Sequence, residues 1–340
     1  MLKPLLILSC GLAATACLGA AATTADGSHY HLAREVPIPG DEGWDYLNFE
    51  PRSARLFVSH GSRVQVIETG GFTLVGEIAD TPGVHGIALA PDLGRGYVSA
   101  GRADSIVVFD LRSLARLTTI ATTGGNPDAI LYDPFSRRVF TFNGRGRNAT
   151  AVDAASNTVV GTIPLDAKPE FAATDAAGHL YVNLEDRNSL AVIDPGTLKV
   201  IETWPLPGCE EPSGLALDRA HARLFSVCGN RVMVVLDAKS GHVLATLPIG
   251  ARVDGAAFDS ARGLAFASCG DGTMTVVRED DPQRFSVVAT VKTLPGARTV
   301  TLDEATHRVF STTASLGAPA QPGARPSIQP GSFRLLVIEP

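Results

Sequence analysis

Seven residues recur at one fixed place in this 340-residue chain: Asp45, His85, Asp128, Glu170, Ser213, Asp254 and Arg298. Their spacings are 40, 43, 42, 43, 41 and 44 residues. Gathered together, four carboxylates, an imidazole, a guanidinium and a hydroxyl would have definite chemistry. Crowded carboxylates repel one another, so some hold their protons to higher pH or recruit a cation. Oxygen donors suit hard cations, and an imidazole shifts the preference toward a transition metal. His60, His85 and Asp45 form a candidate two-histidine, one-carboxylate set for a divalent metal. A metal there would polarise a carbonyl, with Glu170 or His85 as the base. A plainer outcome uses the same residues. Arg298 falls between Asp254 and Asp45 in repeat order, and His85 between Asp45 and Asp128. The ring would then be a satisfied salt-bridge network. Trp44, Tyr46, Ile87, Ile130 and Phe171 supply apolar surroundings, and Trp44 joins the candidate ligand-binding residues.

The elements that must position these residues are repeats. Each candidate stands five residues before Glu50, Ala90, Asp133, Asp175, Asp218, Asp259 or Asp303. A phrase such as Arg55-Leu56-Phe57-Val58 follows each of those positions. Every copy holds four short runs rich in β-branched and aromatic residues, separated by Gly, Pro, Asn and Asp. In the second copy these are Gly86–Leu89, Gly96–Ser99, Ile106–Phe109 and Leu117–Ile120. Four strands per ~40–45 residues is the blade signature of a β-propeller. The fold class is therefore all-β, a seven-bladed propeller occupying residues 30–340. The last copy ends on Leu335–Ile338 and lacks a fourth strand, while His31–Val36 is a spare one. Pairing the two closes the ring and covers two strand edges. In such a ring the first strand of each blade lines the central channel. The seven candidates then circle one mouth of it, the top face.

Composition fits one closed domain. Charged residues make up 19%, the net charge is -6, and Gly (34) and Pro (22) are abundant turn formers. A sustained basic surface for non-specific nucleic-acid binding is absent.

The phrases Arg55-Leu56-Phe57-Val58-Ser59, Gly96-Tyr97-Val98-Ser99 and Ala191-Val192-Ile193-Asp194 resemble the bacterial YVTN-repeat, YncE-like propeller family. The resemblance covers nearly the whole chain after its first residues. It implies an exported protein and, as one activity of the family, single-stranded DNA binding. Related propellers include lactonases and electron-transfer partners.

Residues 1–22 read as a secretory signal: Lys3, an apolar run from Leu5, and Ala20-Ala21-Ala22 as small cleavage residues. A periplasmic or secreted location is expected, with lipid attachment at Cys17 as an alternative. Cys209, Cys228 and Cys269 remain beyond the signal. Cys209–Cys228 is the expected disulfide, both falling at the top of one blade, and the state of Cys269 is open. Residues 314–332, with Pro319, Pro322, Pro326 and Pro330, interrupt the seventh copy on the top face. They would form either a cover for the ring or a mobile insertion.

The leading functional reading is an exported binding protein, a monomer without a transmembrane segment. It would recognise a small ligand, ion or protein partner at the channel mouth. The alternatives are a metal-assisted hydrolase or lactonase using the same ring, and single-stranded DNA binding. No catalytic motif fixes an enzyme class, and no cofactor beyond a divalent metal is suggested.

Overall fold

The computed structural model describes residues 27–319 and 326–340. The expected signal of residues 1–22, with Cys10 and Cys17, lies outside the described residues. Seven four-stranded antiparallel sheets form a closed seven-bladed propeller. Strands are lettered a to d from the channel outward, and blade 1 begins at Trp44. Its strands are Trp44–Glu50, Arg55–His60, Arg63–Glu68 and Thr73–Ile78. Blade 7 joins Thr301–Asp303, Arg308–Thr313 and Arg334–Glu339 to the N-terminal strand His31–Pro37. That strand runs antiparallel to Arg334–Glu339, with His31 opposite Glu339 and Pro37 opposite Arg334. Among the described residues, no helix is long and apolar enough to cross a membrane.

The core is divided among the blade interfaces. Between blades 1 and 2, Phe57, Val64 and Val66 pack on Val84, Ile87, Val98 and Phe109. Between blades 3 and 4, Phe140, Phe142 and Ile163 meet Leu180, Val182 and Leu184. The fit at the axis is tight. A Cβ on Gly214 would stand 2.7 Å from the Asp254 carbonyl oxygen and 2.8 Å from the Ala256 amide nitrogen, both backbone atoms of the next blade. Only glycine lets those strands approach so closely.

Each inner strand of the first six blades carries a β-bulge at its upper end. Pairing slips between Trp44 and Leu47, Val84 and Ile87, Pro127 and Ile130, Pro169 and Ala172, Pro212 and Leu215, and Val253 and Gly255. Asp45, His85, Asp128, Glu170, Ser213 and Asp254 sit in those bulges. A bulge bends the strand and re-aims a side chain. The carbonyls it frees need donors. Ser99 Oγ reaches the Asp128 carbonyl at 2.5 Å, and Thr299 Oγ1 donates to the Asp45 carbonyl at 2.6 Å. Blade 7 departs from the expected pattern. Its inner strand begins only at Thr301, so Arg298 stands in the segment before it.

Residues 314–332 contain structure of their own. Leu316–Pro319 and Pro326–Ile328 pair as a small hairpin, with Leu316 opposite Ile328.

Candidate functional site

The top mouth opens into a cup of about 710 Å³. Asp45, His85, Asp128, Glu170, Asp254 and Arg298 line it, with Trp44 and Tyr46. Lys168, Glu185 and Arg252 join them, and the hairpin contributes Leu316 and Ile328 to the wall. Its floor is aromatic. Tyr46 of blade 1 stacks on Phe171 of blade 4, with centroids 4.4 Å apart and planes inclined by 26°. Below lies a second cavity of about 290 Å³, lined by Tyr46, Ile87, Ile130 and Phe171 among others. Thus Ile87, Ile130 and Phe171 belong beneath the ring, while Trp44 flanks it. The Trp44 indole packs on Phe333 at 5.7 Å, and its buried N–H has no hydrogen-bond partner among the described residues.

Part of the ring is a chain of opposite charges. Arg298 Nε lies 2.9 Å from Asp254, and its Nη2 is 3.5 Å from Asp45. His85 Nδ1 is 2.7 Å from Asp45 Oδ2 and 3.7 Å from Asp128 Oδ1. Continuing round, alternation fails. Glu170 is paired with Lys168 at 2.7 Å, but that ammonium also contacts Glu185. Lys168 and Arg252 stand two residues before Glu170 and Asp254 and are the further cations on this side of the cup. Five acidic side chains line the cup against Lys168, Arg252, Arg298 and the titratable His85.

Burial and crowding make these charges costly. Burial pushes Asp254 up to about 7; Arg298 opposes the shift, and Asp45 and Asp128 add to it. Asp128 is raised by burial, with His85 opposing and Asp45 reinforcing. Glu170 is raised by burial and then by Asp128, against the pull of Lys168. Lys168 also moves up: burial opposes its charge, but Glu170 and Glu185 outweigh it. With two carboxylates holding the ammonium, Glu170 is the member of the pair that titrates. Burial disfavours charge on His85 too, yet the Asp45 hydrogen bond and the nearby carboxylates lift its pKa. Tyr46, buried beneath the carboxylates, stays a neutral phenol.

Two expected participants do not join. Ser213 is absent from the cup lining. Its hydroxyl donates to the Asp254 carbonyl at 3.2 Å and accepts the Gly214 N–H at 2.7 Å, and it also reaches the Asp254 carboxyl, bracing that residue from behind the lining. His60 is fully buried and stacks on Phe333 at 4.0 Å. Its Nδ1 meets Gln65 Oε1 at 2.9 Å and its Nε2 the Glu42 carbonyl at 3.0 Å. With both nitrogens engaged, it cannot complete a set with His85 and Asp45. The donors that do converge are Asp45, His85 and Asp128, one atom from each lying within 4.8 Å of the others.

Lys168, Glu185 and Arg252 were not among the expected residues. Lys168 and Arg252 stand two residues before Glu170 and Asp254. Reading the repeat two positions earlier would have placed them at the mouth. On the outer top loops, Arg145 pairs with Asp104 at 3.1 Å and Arg147 with Asp186 at 2.6 Å. Cys209 and Cys228 form a disulfide. Cys269 is buried in the next blade, and burial pushes its thiol up to about 11, far from the nucleophilic thiolate.

Neither a family model nor a curated protein matches the chain. Among solved structures, hydrazine synthase from Kuenenia stuttgartiensis is similar, with a TM-score of 0.68 and 18% identity. The match covers 84% of this chain and 95% of that one, and at such low identity it shows a shared β-propeller fold and nothing further.

Proposed function

We propose that this chain is an exported YncE-like propeller that binds a small, cation-bearing molecule in the top cup without turning it over. The observation that carries this reading is the excess of acid in the cup: Asp45, Asp128, Glu170, Glu185 and Asp254 stand against Lys168, Arg252, Arg298 and the titratable His85. Burial first, and then neighbouring carboxylates, raise the pKa of Asp128, Glu170 and Asp254 even though each has a cation beside it. An ammonium group seated there would supply the missing charge. The ring of Tyr46 and the indole of Trp44 offer π faces to such a cation, and Leu316 and Ile328 cover apolar atoms. The Cys209–Cys228 disulfide supports an oxidising compartment. The test is a thermal-shift panel of small amines, amino acids and quaternary ammonium compounds. At least one should stabilise the protein, and Asp128→Asn and Glu170→Gln should abolish that response. Stabilisation that survives both substitutions would refute the site.

One observation favours a second reading. The convergence of Asp45, His85 and Asp128 offers a metal set for hydrolysis of an ester or lactone, with Glu170 as base. Metal analysis and an esterase assay on His85→Ala separate it from the first. Metal-dependent activity lost in that variant supports hydrolysis, whereas a metal-free, inactive wild type removes it.

A further inference from the structure

On the opposite face, the c-to-d hairpin of blade 6 breaks a rule that the other blades keep. In five blades the acid ending strand c accepts amides of its own turn. Gly71 N–H reaches Glu68 at 2.9 Å, Ser113 reaches Asp110 at 2.7 Å, and Ser156 reaches Asp153 at 2.8 Å. Gly196 does so for Asp194 at 2.8 Å and Ser240 for Asp237 at 3.0 Å. In blade 7 the equivalent Glu339 is held by Arg308 at 2.9 Å. Blade 6 places Glu279 there, and both supports are gone. Its strand c runs on to Asp281, so the turn lies too far away. The arginine that begins strand b in most blades is replaced by Gly263.

Glu279 instead points across the interface into blade 5. Its side chain is 3% exposed, and neither carboxylate oxygen accepts a hydrogen bond among the described residues. It faces Asp218, also 3% exposed, and His221, half-exposed in the turn after Asp218. His221 Nδ1 lies 2.7 Å from Asp218 Oδ2 and 3.0 Å from Glu279 Oε1. His221 occupies the turn position filled by Ser53, Ser136 and Thr306 elsewhere; each of those hydroxyls bonds its own repeat acid at 2.6 Å. Neighbouring cations are committed elsewhere: Arg223 to Asp237 at 2.7 Å, and Arg278 to Asp280 at 2.5 Å.

We propose that Asp218, His221 and Glu279 hold a divalent first-row transition cation, zinc by preference, that staples blade 5 to blade 6. An imidazole with two carboxylates is a donor set for such ions. Donors around an ion with bonds of about 2.0–2.1 Å stand roughly 3–3.4 Å apart; His221 Nδ1 already lies 2.7 and 3.0 Å from the two carboxylates, and all three donors lie within 4.8 Å of one another. Two buried carboxylates facing one half-exposed imidazole lack a full balance of positive charge. The half-exposed His221 leaves a path for the ion. The site is separate from the cup and does not depend on the function assigned there.

The test is calorimetric titration of Zn²⁺ into purified, chelator-treated protein, with Glu279→Gln, His221→Gln and the cup variant Asp128→Asn alongside. Wild type and Asp128→Asn should share a Zn²⁺ site that both other variants lose or bind at least about tenfold more weakly. Glu279→Gln keeps the shape and removes a buried charge, so without metal it should unfold no earlier than wild type. Wild type and Asp128→Asn should both gain melting temperature with Zn²⁺, and Glu279→Gln should not. Absence of Zn²⁺ binding in wild type, or equal binding in Glu279→Gln, would overturn the proposal.

Discussion

At the residue scale, the cup is a place where like charges are held together by the fold. Asp254 illustrates the consequence. Its folded-state pKa of about 7 lies above its ordinary value of 3.8. A carboxyl raised in this way binds its proton more tightly when folded, so stability is greatest below the ordinary value and declines as pH rises through about 7. His85, raised above 6.5, acts in the same direction. Thermal unfolding at pH 5 and pH 8 should therefore show a lower melting temperature at pH 8. Asp254→Asn should shrink that difference; an unchanged difference would mean the carboxyl ionises freely. Cys269 should resist thiol reagents in the native protein and react once denatured, read by mass-spectrometric mapping. The ring was legible in the sequence because one register recurs seven times. His60 was misread because its place at the top end of a strand does not say which way its ring turns. It turns into the core against Phe333.

At the element scale, the bulges, the closing strand and the hairpin position the site. Strand pattern and turn chemistry revealed the blades and the N-terminal closing strand, since both follow from local residue types. The bulges were not legible, because register is set by pairing across strands and not by the strand's own residues. For the same reason Arg298 was expected inside a strand that begins after it. Gly214→Ala would force a methyl group against the backbone of the next blade. A cost of about 1–3 kcal/mol is expected from such overpacking, measured by chemical denaturation. A change below about 0.5 kcal/mol, as for a neutral surface site, would show that the inner strands can part. Deleting residues 27–37 removes the seventh blade's outer strand and exposes the edge of Arg334–Glu339. That variant should aggregate or melt well below the full chain, and a monomer of unchanged stability would contradict velcro-like closure.

At the scale of the whole molecule, a net charge of -6 acquires a location. Carboxylates are concentrated at one end of the channel, above an aromatic floor that divides it. An acidic mouth repels phosphate backbones, so single-stranded DNA should not be retained in a mobility-shift assay at physiological salt. What the cup should attract is a cation, and its arrival should expel protons from Asp128, Glu170 and Asp254 near neutral pH. The measurement that tests this most directly is titration calorimetry of a cationic binder at pH 7 in two buffers of different ionisation enthalpy. Proton release on binding, with affinity rising from pH 5.5 to pH 8 and the release reduced in Glu170→Gln, is the expected result. Binding without proton exchange, or affinity that falls as pH rises, would contradict the assignment of the cup.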